Sequence, residues 1–112
     1  MESDLALLPP ELAARSASRW EIVLRYEDAL GALEHLGTRG VRVLGWEGWL
    51  VYSDGRTGHS TRFQGTTDLG ALAPEKAIEV CRATMAGAHI MSSANPEAPD
   101  AELQFCISVA AP

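Results

Sequence analysis

Residues 41–64 read as two β-prone stretches joined by Ser53-Asp54-Gly55-Arg56-Thr57-Gly58, and this segment constrains the fold more than any other part of the chain. Asp-Gly is a strong short-range hairpin signal, because glycine adopts the positive φ that a tight loop requires. The spacing predicts a strand over 41–52, a loop in which Gly55 and Gly58 supply positive φ, and an antiparallel return over 59–64. Gly45 and Gly48 interrupt the alternation of the first strand and predict a bulge or bend beside Trp46 and Trp49. Trp46, Trp49, Tyr52 and Phe63 place most of the chain's few aromatics in this one segment.

On either side of the hairpin the apolar period switches between two and about 3.6 residues. Residues 18–26 alternate, with Trp20, Ile22, Leu24 and Tyr26 on one side and Arg19, Glu21, Val23 and Arg25 on the other, as in a half-buried strand. Residues 27–37 then bring Ala29, Leu30, Leu33 and Leu36 to one helical face, with Glu27 and Asp28 in the first turn and Gly37 at the end. Pro74 suits a first helical position for a second helix over 75–91, whose Ala77, Ile78, Cys81, Met85 and Ala88 form an apolar stripe. Residues 92–100 carry Asn95-Pro96 and Pro99 and predict a loop. The closing strand over 102–110 sets Leu103, Phe105, Ile107 and Val109 against Gln104, Cys106 and Ser108.

The element order is β-α-β-β-α-β, which predicts an α+β, ferredoxin-like arrangement: an antiparallel sheet with two helices on one face. The other face would expose Glu21, Arg25, Gln104, Cys106, Ser108 and part of the hairpin. A competing layout splits residues 41–52 into two strands at Gly45 or Gly48. Pro9-Pro10-Glu11 opens a short helix over 9–17, whose thin apolar side predicts loose packing or contact with a partner subunit. A length of 112 residues suits one core, so residues 1–112 are taken as a single domain with 1–17 as an extension.

Net charge bounds the partners. At −6, with nine basic residues scattered along the chain, the composition argues against nucleic-acid binding, which needs concentrated positive charge. A basic protein partner or self-association fits better, although moderate negative charge also serves solubility. Residues 1–4 open acidic where a secretory signal opens basic, and no window reaches the roughly 20 apolar residues of a bilayer span, so the expected location is cytoplasmic.

Catalytic motifs are missing from the sequence: residues 65–70 lack the lysine of a phosphate loop, and neither a nucleophile elbow nor a dinucleotide fingerprint is present. His35, His59, His89, Cys81 and Cys106 have no partner at metal-ligand spacing, so neither a metal nor a cofactor is expected and both cysteines read as reduced and buried. The expected binding residues are Trp46, Glu47, Trp49, Asp54, Arg56, His59 and Arg62, where aromatic and ionisable side chains crowd. Two functions suit such a group. One is an acidic protein that binds another protein through the hairpin without catalysis, an immunity or antitoxin role being a concrete form. The other is a small-ligand domain, or a small enzyme, with a cleft around His59, histidine being a side chain suited to proton transfer.

Overall fold

The computed structural model describes residues 3–111 and shows an α+β architecture. Its strands are β1 (Ile22–Leu24), β2 (Val43–Tyr52), β3 (Thr57–His59) and β4 (Ala101–Val109). The helices are α1 (Pro10–Ala13), α2 (Tyr26–Thr38) and α3 (Pro74–Ala94), with 3-10 turns at Asp4–Leu7 and Leu69–Ala71. All four strands form one antiparallel sheet in the order β1-β4-β2-β3. Among the described residues no helix is long and apolar enough to cross a membrane.

Two split β-α-β units interlock in this sheet. β1 and β2, linked through α2, enclose β4, while β3 and β4, linked through α3, enclose β2. This differs from the expected ferredoxin-like order, which centres the first and third strands. Length accounts for the difference: β2 has 10 residues and β4 has 9, whereas β1 and β3 have 3 each. Short strands leave few unpaired backbone groups and are the ones a sheet can keep at its edges.

The covered face carries Ile22 and Leu24 from β1, Trp46 from β2, and Leu103, Phe105 and Ile107 from β4. Against it pack Ala29, Ala32, Leu33 and Leu36 of α2 and Ala77, Cys81, Met85 and Ala88 of α3, as their spacing predicts. Helix α2 ends later than Gly37: the N–H of Val41 donates to the Leu36 carbonyl (3.0 Å), that of Gly40 donates to Gly37 (3.1 Å), and Gly40 takes φ +71°. That double closure is how a left-handed residue terminates a helix. Helix α3 runs on through Ser92, Ser93 and Ala94, stopping only where Pro96 forces Asn95 out of helical geometry.

Two further expectations change at the N-terminal side. Ser18 Oγ accepts from the N–H groups of Trp20 and Glu21, both at 3.1 Å, so a serine turn replaces the first half of the expected strand and leaves Trp20 65% exposed. The leucine-rich segment packs against the core of its own chain instead of loosely. Leu8 is buried, Leu5, Leu7 and Leu12 rest on the core, and Ala17 N–H donates to the Val23 carbonyl (2.9 Å) along the outer edge of β1.

The hairpin pairs Trp49 with His59, Leu50 with Gly58 and Val51 with Thr57. Gly55 takes positive φ (+91°) and Gly58 does not. The return strand ends at His59, short of the expected 64, because the chain then runs back along β2 as irregular backbone. Gly48 N–H donates to Phe63 O (3.0 Å), and Trp46 N–H donates to Thr66 O (2.7 Å). Glycine makes this approach possible: a Cβ at Gly45 would stand 1.8 Å from the Thr66 carbonyl oxygen, and one at Gly48 would stand 2.1 Å from that of Phe63. The bulge lies between Val43 and Gly45, and β2 continues through it instead of splitting.

Candidate functional site

The sheet face opposite the helices brings together side chains from all four strands. Because paired residues share a face, Val23, Cys106 and Glu47 form one row across it, and Gln104, Trp49 and His59 form the next. Glu21 adds a carboxylate just before β1: it accepts from the Cys106 thiol at 3.8 Å, and the ligand atoms of Glu21, Glu47 and Cys106 all lie within 4.8 Å of one another.

Electrostatics in this cluster are one-sided. Neither Glu21 nor Glu47 pairs with a basic nitrogen among the described residues. Burial pushes the Cys106 thiol up to about 12, helped by the two neighbouring glutamates, so it stays protonated at neutral pH. Thiol and carboxylates together are donors that a thiophilic divalent cation accepts, but only after that proton leaves. Spacing along the chain hid this cluster; register across three segments assembles it.

The second row combines an aromatic contact with stranded polar atoms. Trp49 and His59 meet edge to face at 5.4 Å between centroids. Trp49 Nε1 and Gln104 Oε1, on directly paired residues, are buried without hydrogen-bond partners. Gln104 Nε2 donates to Glu102 (3.0 Å), and Glu102 is also held by Arg25 in a two-pronged ion pair at 2.8–3.2 Å. Arg25 and Glu102 therefore neutralise each other at one end of the face, leaving the negative charge concentrated at Glu21 and Glu47.

The expected binding residues divide into three groups. Glu47, Trp49 and His59 share this face. Trp46 lies on the covered side, 2% exposed, with its indole N–H donating to Thr84 Oγ1 (2.8 Å) and its ring edge-on to Phe105. Asp54 and Arg56 pair with each other at the hairpin tip (2.8 Å), where Arg56 also covers Tyr52, and Arg62 donates to the Asn95 carbonyl beside Phe63. Glu21, Gln104 and Cys106 join the site although the sequence reading placed them only on the exposed face; the alternation of Gln104 and Cys106 with Leu103, Phe105 and Ile107, and of Glu21 with Ile22 and Leu24, is the signal that points to them.

Two cavities of ligand size lie elsewhere. One of about 510 Å³ opens between the start of α2 and the end of α3, lined by Arg25, Tyr26, His89, Ser92 and Glu102 among others, with His89 stacked on Tyr26 at 4.2 Å. The other, about 310 Å³, is a groove between α2 and α3 at Leu33 and Ile78. Neither is lined by Trp49 or His59.

The chain matches no protein-family model, no curated protein and no solved structure.

Proposed function

We propose that this protein binds another protein through the helix-free face of its sheet, using Trp49 and His59 with Glu21 and Glu47, and performs no chemistry of its own. The observation that carries this reading is a sheet surface with a half-buried tryptophan, two buried polar atoms without partners and two carboxylates without counter-charge. Each of these costs free energy in the isolated chain and is relieved by a suitable partner. An immunity- or antitoxin-type role is one concrete form.

A small-ligand function would call for an enclosed space around His59, and the two cavities described open on other residues. Affinity capture from the source cells tests the binding reading, comparing the natural chain with the Trp49→Ala/His59→Ala double variant. A partner held by the natural chain and lost by the variant supports it; a partner held equally by both removes this face from consideration.

A further inference from the structure

Trp20 is the largest apolar side chain that the described residues leave in water, 65% exposed just before β1. The turn that carries it is tied down from three sides. Ser18 Oγ accepts from the Trp20 and Glu21 N–H groups (both 3.1 Å), Ser3 Oγ donates to the Trp20 carbonyl (2.9 Å), and Ser16 Oγ donates to the Glu21 carbonyl (2.8 Å). An indole carried on fixed backbone has less ordering entropy to lose on contact, and tryptophan is among the residues most enriched at binding hot spots.

A matching surface lies elsewhere on the same chain. The groove of about 310 Å³ between α2 and α3 is lined by Leu33, Gly37, Pro74 and Ile78, and its volume suits one large side chain. Gly37 keeps it open, since a Cβ there would stand 2.9 Å from Ile78 Cδ1. Its charged rim is net negative, Glu34 and Glu75 against Arg82. Arg19, exposed and without an ion-pair partner among the described residues, precedes Trp20 and supplies the opposite sign. Trp20 does not occupy the groove of its own chain. We infer that the groove receives Trp20 of a second copy of this chain, with Arg19 beside Glu34 and Glu75. Anchor and groove are different patches, so the contact is heterologous. One ring and its flanks bury far less than the roughly 1,200 Å² of a stable interface, and copies of charge −6 repel each other, so the association is transient and rises with concentration.

Sedimentation velocity of the full chain from micromolar to millimolar concentration tests this contact, alongside Trp20→Ala and the Glu34→Arg/Glu75→Arg double variant, all at exposed positions. The natural chain should gain mass as it is concentrated. Trp20→Ala should weaken that association by roughly tenfold or more, the loss of a hot-spot anchor, and the reversed rim by roughly two- to fivefold per charge. NMR locates the contact. Isotope-labelled Trp20→Ala chain, whose groove is intact, should show shifts of the Gly37, Thr38 and Ile78 amides when unlabelled natural chain is added, and none when the added chain is also Trp20→Ala. The Trp49→Ala/His59→Ala variant should associate as the natural chain does, so this contact and the sheet-face reading fail separately. Association untouched by Trp20→Ala, or shifts confined to Glu47, Trp49 and Cys106, would overturn the contact. A natural chain that stays monomeric at millimolar concentration would do the same, and loss of a captured partner with Trp20→Ala would then assign the anchor to a different protein.

Discussion

Trp46 and Trp49 stand three residues apart on one strand and reach opposite physical outcomes. Trp46 is sealed beneath α3, with its ring against Phe105 and its N–H given to Thr84. Trp49 is half-buried on the helix-free face, with its N–H given to nothing. One side of this sheet has satisfied its polar atoms and closed its packing, and the other has left both incomplete. The incomplete side is the one on which the proposed partner would settle.

The largest test of that contrast is a matched pair of truncations. Trp46→Ala removes a buried ring from the core and should cost about 3–5 kcal/mol, seen as a lower urea midpoint with a two-state transition. Trp49→Ala should cost far less in the same titration while abolishing partner capture. Similar losses from both would mean that the two faces are equally part of the fold.

Alkaline pH probes one thiol on each side. Burial raises Cys81, on the covered face, to about 11, and raises Cys106, on the open face, to about 12, from an ordinary 9.0. A folded-state value above the unfolded one means that the native chain holds the proton more tightly. The resulting stability is complete below pH 9 and is lost as pH rises through the folded values. Unfolding free energy should therefore fall between about pH 9 and 12. Cys106→Ala should remove the larger share of that slope, since only this thiol also faces two glutamates.

How much of this was legible beforehand follows from what each element depends on. The alternation of Leu103, Phe105 and Ile107 and the stripe through Ala77, Cys81 and Met85 are local, and both survive in the structure. The continuous β2 with a bulge at Gly45 follows from glycine chemistry, and so does the turn at Gly55. Strand order was not local: it depended on β1 being cut to three residues by the Ser18 turn and β3 by the irregular return after His59. The site divided in the same way. Glu47, Trp49 and His59 were neighbours by hairpin pairing, whereas Glu21 and Cys106 joined them only through β4 inserting between β1 and β2. Trp46 was placed with Trp49 because the two glycines suggested a kink; the strand kept its pleat, which sends residues three apart to opposite faces.

Smaller effects sharpen the same comparison at single hydrogen bonds. Thr84→Val keeps the shape of the side chain but takes away the acceptor for the Trp46 indole, a part-buried donor on the finished side of the sheet. It should destabilise by about 1 kcal/mol, with the indole proton shifted in the NMR spectrum.

Gln104→Met is the counterpart on the unfinished side and carries the smallest expected effect. Gln104 is 8% exposed, its carbonyl oxygen has no partner, and its amide reaches only Glu102, which Arg25 already holds. Methionine has nearly the same volume and leaves no polar atom stranded, so stability should be unchanged or rise by up to about 1 kcal/mol. A residue whose replacement leaves the fold as stable or more so is not there for the fold. The same variant should then weaken capture of the partner, because the acceptor that the isolated chain leaves empty is one that the complex would fill. Loss of stability without loss of capture would show that Gln104 supports the sheet itself, and the contrast between the two faces would then narrow to their tryptophans.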